Sequence, residues 1–274
     1  MQNDIIALNS FEVNFSGKIA VGTTNNGILK IFKLEKEHID LLTSLEGHTA
    51  PVVNAKFMNN NYIVSIDFTG GLIIWDKENN MYCKKIVKQI IDGSIYDMSI
   101  LEQISGNYLV FCASNCGKII ITEFFEINEI NSCTIQVHEN DIISLDNNTE
   151  FLVSVDLDGI VKCTSILGSK LQDSITIYKV NNEPTVIKIT RKNCFDKTFI
   201  AIGTGDGVVT ILERDIDTAE FKVNKVIQLE GPIYSLVWSK GGFSLSVLFS
   251  KNECIKVFEI TEEGSFEEVE VEDY

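Results

Sequence analysis

A short turn recurs along the chain at nearly even intervals, and this period constrains the fold more than any other feature. It appears as Asn25-Asn26-Gly27, Thr69-Gly70-Gly71, Asn115-Cys116-Gly117, Leu157-Asp158-Gly159, Gly205-Asp206-Gly207 and a degenerate Lys251-Asn252-Glu253. The last residues of these triplets stand at 27, 71, 117, 159, 207 and 253, a repeat of about 45 residues over the whole chain. Self-similarity on this scale marks solenoids, propellers and arrays, whose units bury their apolar faces only by stacking.

The residue types flanking the turns select strands. The chain holds 38 Ile and only 7 Ala, and Ile, Val and Thr together exceed a quarter of it. β-branched side chains suit a pleated sheet and lose rotamer freedom in a helix, whereas Ala is the best helix former. The second unit reads as four strands, 52–58, 62–68, 71–77 and 82–91. Runs such as Ile63-Val64-Ser65-Ile66 and Leu72-Ile73-Ile74-Trp75 are short, apolar and bounded by Asn, Gly or Asp, as in a meander. Their nearly continuous apolarity implies burial on both faces, which neighbouring sheets would supply. Pro51-Val52-Val53 and Pro232-Ile233-Tyr234 both follow Leu-Glu-Gly and open corresponding units. The expected fold is all-β: a single six-bladed β-propeller with blades near 1–47, 48–92, 93–138, 139–181, 182–230 and 231–274. A pair of β-sandwiches is the other architecture for such composition, but it would not require a regular period.

Charge and cysteine usage narrow the function. The formal net charge is −16, and Arg191 and Arg214 are the only arginines, which argues against nucleic acid as partner. Seven carboxylates and no basic residue lie between Glu262 and Tyr274, read as a solvated last strand with a frayed end. No basic n-region opens the chain and no apolar run is long enough to span a bilayer, so direct membrane insertion is not expected. Seven Cys, an odd number lying mostly within apparent strands, read as reduced thiols of a cytosolic or nuclear protein.

The chemistry-bearing motifs have structural readings. Gly203-x-Gly205-x-Gly207 lies between two strands instead of opening a helix, so it reads as a hairpin turn and not a dinucleotide site. Cys112 and Cys116 lack the companions a zinc site needs. Three His and no convergent carboxylate pair leave no catalytic base to place, with His38 in a polar loop. No catalytic residue, metal or cofactor is expected, and the chain reads as a non-enzyme.

Gly47-His48 followed by Trp75-Asp76 at the end of a third strand resembles a WD repeat, and His138 holds the corresponding place before the fourth unit. In that family the His, a turn Asp and a Ser or Thr form a hydrogen-bond network within a blade. Asp158 and Asp206 match the turn position six before the Trp site, whereas the second unit has Thr69 there and Asp67 two residues earlier. The second unit thus departs from the pattern at this position, and the other units hold only fragments of it, with His48, Trp75 and Asp76 expected in structural roles.

Strand phase adds an expectation about closure. Most WD propellers close by letting the N-terminus supply the outer strand of the last blade. Here 1–4 precede an inner strand read at about 5–14, while 254–261 and 266–272 supply the third and fourth strands of the sixth unit. The ring would then lack strand exchange and leave its first and sixth blades with edges that a partner strand could join.

Over its full length the chain resembles the small open propeller shared by the COPII outer coat and the nuclear-pore Y-complex. The resemblance is carried by Gly17-Lys18-Ile19-Ala20, Leu29-Lys30-Ile31-Phe32, Leu45-Glu46-Gly47-His48, Gly231–Ser239 and Ile255-Lys256-Val257-Phe258-Glu259. It implies an elongated α-solenoid coat or nucleoporin subunit that donates a β-blade, and a cytoplasmic location at ER-derived vesicle coats and the nuclear pore. The edge residues expected to meet that blade are Ile5, Ile6, Leu8 and Phe11 on the first unit, and Trp238, Phe243, Phe249 and Phe258 on the sixth. A peptide-recognition WD-repeat adaptor, in signalling or as a ubiquitin-ligase substrate receptor, is the alternative.

Overall fold

The structure is a computed structural model that describes residues 7–36, 38–191, 197–215, 217–250 and 254–270. Its strands form six four-stranded antiparallel sheets, each taken from one uninterrupted stretch of chain and ordered as in the sequence. These sheets are the blades of a six-bladed β-propeller. The chain divides into two compact units, Met1–Gln136 and Val137–Tyr274, with three blades in each. Among the described residues no helix is long and apolar enough to cross a membrane.

In the first unit, blade one holds β1 (Ser10–Val13), β2 (Ile19–Thr23), β3 (Ile28–Leu34) and β4 (Ile39–Glu46). Blade two holds β5 (Val52–Phe57), β6 (Tyr62–Asp67), β7 (Gly71–Glu78) and β8 (Met81–Gln89), close to the four strands read from the sequence. Blade three holds β9 (Ile95–Glu102), β10 (Asn107–Ser114), β11 (Lys118–Phe125) and β12 (Asn128–Gln136). Blades one and two meet through Val21, Leu29, Ile31, Ala55, Ile63, Ile73 and Trp75, and blades two and three through Val64, Ile66, Ile74, Met98, Val110 and Ile120. Polar links join the inner strands as well: Asn9 Nδ2 donates to Val52 O at 2.9 Å, and Asn54 Nδ2 to Asp97 Oδ1 at 2.9 Å.

In the second unit, blade four holds β13 (Ile142–Asn147), β14 (Phe151–Asp156), β15 (Ile160–Leu167) and β16 (Lys170–Lys179). Blade five holds β17 (Pro184–Ile189), β18 (Phe199–Thr204), β19 (Val208–Arg214) and β20 (Phe221–Gln228). Blade six holds β21 (Ile233–Trp238), β22 (Ser244–Phe249), β23 (Cys254–Ile260) and β24 (Phe266–Val269). Val153, Val155, Ile187, Ile200 and Leu212 pack blade four on five, and Phe199, Ala201, Ile211, Leu236, Val247 and Phe258 pack blade five on six. The second strand of each blade is the driest: β18 is buried along its whole length. Burial on both faces explains why strands such as β10 and β18 are almost wholly apolar, whereas β22, with one open face, alternates in burial.

The recurring turn joins the second and third strands of a blade. Its glycine has a positive φ in five blades, at Gly27, Gly70, Gly117, Gly159 and Gly207. The equivalent residue in blade two is therefore Gly70 (φ +88°), not Gly71. A Cβ on Gly70 would also stand 2.6 Å from Ile91 O in the crossover to the next blade, so both conformation and space demand glycine there. Gly203 lies in β18, with Gly205 and Gly207 in the following hairpin turn.

Candidate partner-binding faces and the histidine networks

The realigned turn moves the network aspartate. Asp67, three residues before Gly70, accepts a hydrogen bond from His48 Nδ1 on Oδ2 at 2.8 Å. Its Oδ1 accepts from Thr69 N, Thr69 Oγ1 and Gly71 N at 3.0, 2.9 and 2.8 Å, which closes the turn. The other imidazole nitrogen, Nε2, lies 2.7 Å from Ser65 Oγ, and that oxygen accepts from Trp75 Nε1 at 2.9 Å. His48, Ser65, Asp67 and Trp75 thus form a complete network despite the departure at Thr69. The count of six residues before Trp75 lands on Thr69, whereas the carboxylate that meets His48 stands eight before Trp75 and three before the positive-φ Gly70. Gly47 keeps the space beside this network, since a Cβ there would meet Trp75 Cη2 at 3.0 Å. Asp76 is half-buried and lies 3.8 Å from Lys85 Nζ, outside the network.

Blade four repeats the arrangement around His138. Its Nδ1 lies 2.9 Å from Asp156 Oδ2 and its Nε2 2.8 Å from Ser154 Oγ, while Asp156 Oδ1 accepts from Ile160 N at 2.9 Å. Strand register carries the place of Trp75 to Thr164, which bonds Ser174 at 2.7 Å instead. Asp158 and Asp206 are therefore corrected: they stand on exposed turn tips, two residues past the network position. Asp158 accepts from Asn140 Nδ2 at 2.6 Å, and Asp206 from Thr204 Oγ1 at 2.5 Å and from Asn182. Thr24 and Thr204 occupy the network-aspartate site in blades one and five, where their Oγ1 atoms still accept from Ile28 N and Val208 N at 3.2 and 3.1 Å.

Burial holds both imidazoles below the usual histidine range, against the opposing pull of Asp67 and Asp156. The geometry suits neutral rings: Nδ1–H donates to the carboxylate and Nε2 accepts the serine O–H. The side chains are 1% and 0% exposed, so neither ring offers a base to solvent. Glu35, His38 and Asp40 are grouped at the β3–β4 turn, but all three are exposed and Glu35 is already paired with Lys33.

Two blade faces differ from the dry faces within each unit. On blade one the face turned from blade two carries Phe11, Val13 and Leu41, 45%, 43% and 47% exposed. Phe11 meets Phe32 at a tilt of 47° with centroids 5.8 Å apart, and Leu8, half-buried, covers Gly22. Ile5 and Ile6 lie outside the described residues.

On blade six the face turned from blade five carries Val237 and Ile255, 59% and 63% exposed, with Leu248, Val257 and Val269 half-buried beside them. Trp238, Phe249 and Phe258 are corrected as edge residues because they point the other way. Trp238 stacks on Phe199 of blade five at 6.1 Å and donates Nε1–H to Lys188 O at 3.2 Å. Phe249 and Phe258 are each 4% exposed within the blade five–six core. Phe243 sits in the β21–β22 turn, its ring folded over Gly241. Alternation decides the matter: neighbours along a strand face opposite sides, and aromatic character alone does not give the phase. The apolar residues that do stand out, Val237 and Ile255, had no motif to mark them.

No family model matches the chain. It is similar to the protein transport protein sec13 of Emericella nidulans, 19% identical over 94% of this chain and 92% of the relative. Its fold is similar to that of the solved structure of U3-55K, with a TM-score of 0.71, 15% identity, and coverage of 88% of this chain and 72% of that one. The fold is thus a β-propeller, and the similarity to sec13 is one of sequence, over 94% of this chain.

Proposed function

We propose that the chain is a non-enzymatic scaffold subunit of the COPII vesicle coat in ER-to-Golgi transport, and of the nuclear pore complex. It binds an elongated helical partner that donates a β-blade, for which the outward faces of blade one and of blade six are each candidate seats. The observation that carries this reading is the exposure of aliphatic side chains on those two faces, Val237 and Ile255 at 59% and 63% above all. Inside each unit the corresponding blade faces hold residues such as Val21, Ile31, Leu236 and Val247 at 0–1% exposure. Fully burying one Val or Ile contributes roughly 1.5–3 kcal/mol, so such faces favour a covering sheet. The similarity to a protein transport protein over 94% of the chain supports the transport role. A cytoplasmic site of action, at ER-derived coats and the pore, follows from this assignment.

The experiment is cross-linking of the tagged chain in its own cells, followed by mass spectrometry of the captured partner. Cross-links from a long helical protein to blades one and six, lost in Ile255→Asp and Phe11→Asp but kept in Leu167→Asp, are expected. Partner capture unaffected by Ile255→Asp and Phe11→Asp would refute the reading. One feature favours the alternative, a peptide-recognition adaptor: exposed Phe68 meets Tyr96 edge-on at 5.9 Å. A partner lost in Phe68→Ala but kept in Ile255→Asp would select that alternative.

A further inference from the structure

The outward face of blade six has an internal order that specifies more than apolarity. Strand register aligns Val237, Ser246, Val257 and Val269 in one row, and Ser235, Leu248 and Ile255 in the row beside it. On the other side of the valine row stand Ser244, Glu259 and Glu267. Glu259 and Glu267 are direct cross-strand partners on β23 and β24, and like charges so placed repel. Both are exposed, and among the described residues neither has a basic partner. The opposite face of the same two strands is balanced, with Lys256 and Glu268 paired at 2.8 Å.

We propose that this face selects a partner strand carrying a lysine or arginine at the end of its apolar row, placed between Glu259 and Glu267. The inference rests on the reading that a partner's blade docks here and adds the chemistry of that blade. Aliphatic side chains of the incoming strand cover Val237, Val257 and Ile255. The stem of the basic residue continues that cover, and its charged head reaches both carboxylates. Excluding water around the contact strengthens the attraction, whereas an acidic or neutral side chain would leave two carboxylates half-desolvated and unpaired. The acid pair therefore acts on partner choice by rejection as much as by attraction.

The test uses the full chain and two synthetic β-hairpin peptides with alternating Val and Thr, identical except for Lys or Glu at the end of the valine row. Fluorescence anisotropy at low salt is expected to give the Lys peptide about tenfold tighter binding, a difference that shrinks as salt shortens the screening length. The variant E259K/E267K is expected to reverse the order, and E259Q/E267Q to abolish the preference. Equal affinities, or an order unmoved by charge reversal, overturn the proposal. Ile255→Asp separates the two levels. If it abolishes binding of both peptides while they bind the parent chain equally, the docking face stands and the charge assignment fails. If both peptides bind parent and Ile255→Asp alike, or bind neither, the docking reading fails with it. Self-association in sedimentation that Ile255→Asp removes would give the face to a second copy and also overturn the proposal. Urea midpoints of each variant establish that it is folded.

Discussion

Replacing Asp67 by Ala removes four hydrogen bonds at once, three to the β6–β7 turn and one to His48. His48 is enclosed, so its Nδ1–H loses its acceptor without gaining water. An orphaned buried donor costs about 1–3 kcal/mol, and the partly buried turn amides add about 0.5–1.5 kcal/mol each, which places the total near 4 kcal/mol. At roughly 2.1 cal/mol/K per residue the unfolding entropy makes each kcal/mol about 2 °C, so the melting point should fall by about 7 °C. Asp156→Ala, which removes one bond to His138 and one to Ile160 N, should cost about 3 kcal/mol. Asp158→Ala, on an exposed tip with Asn140 as partner, should stay within about 0.5 kcal/mol. Urea unfolding read at the midpoint, with unchanged slope, measures all three on one scale. Equal losses for Asp67→Ala and Asp158→Ala, or a loss below about 1 kcal/mol for Asp67→Ala, would refute the assignment of the network to Asp67.

The buried histidines set a pH dependence. Burial lowers the folded-state pKa of His48 and His138 below the unfolded value of 6.5, so the unfolded chain binds more protons in acid and stability falls as pH drops below 6.5. Urea midpoints from pH 7.5 to 5.5 should decline in the parent and flatten in His48→Gln/His138→Gln; a midpoint that rises on acidification contradicts the neutral-ring reading. Gly70→Ala combines a positive φ with a 2.6 Å approach to Ile91 O, whereas Gly106→Ala has a positive φ and open space. Gly106→Ala should cost about 1 kcal/mol and Gly70→Ala about 3 kcal/mol, and equal midpoint shifts would show that the crossover contact is unimportant. Thiol titration should separate two classes. Exposed Cys83, Cys116, Cys133 and Cys254 react with a disulfide reagent at pH 8, while Cys112 and Cys163 wait for denaturant. Burial pushes the Cys163 thiol up to about 12 and raises Cys112 further, so labelling of either in the folded chain would contradict their placement.

The blades were legible in the sequence because their turns place one residue at positive φ, and glycine at Gly27, Gly117, Gly159 and Gly207 marks the period. The strands of blade two could be bounded to within about two residues for the same reason. Side-chain direction was only partly legible on β21–β23. Val237 and Trp238 are neighbours of like character, as are Val257 and Phe258, so those strands carry little contrast; on β22 the alternation of Ser244 and Ser246 with Leu245 and Val247 does mark the inward side and places Phe249 on it. The network aspartate failed for a narrower reason. Counting six residues back from the Trp site lands on Thr69 and Asp158, whereas the network carboxylate stands eight before that site and three before the turn glycine, at Asp67 and Asp156.

That each sheet is taken from a single stretch of chain in sequence order bears on how the protein is made. A nascent strand finds its neighbour among the next residues to leave the ribosome, and no described strand has to be held for a segment of another blade. At about 5–20 residues per second, each hairpin can close within seconds of its second strand emerging. Edges within a blade are thus exposed only briefly during synthesis, and the apolar face of blade six forms after the faces of the five blades that precede it in the chain.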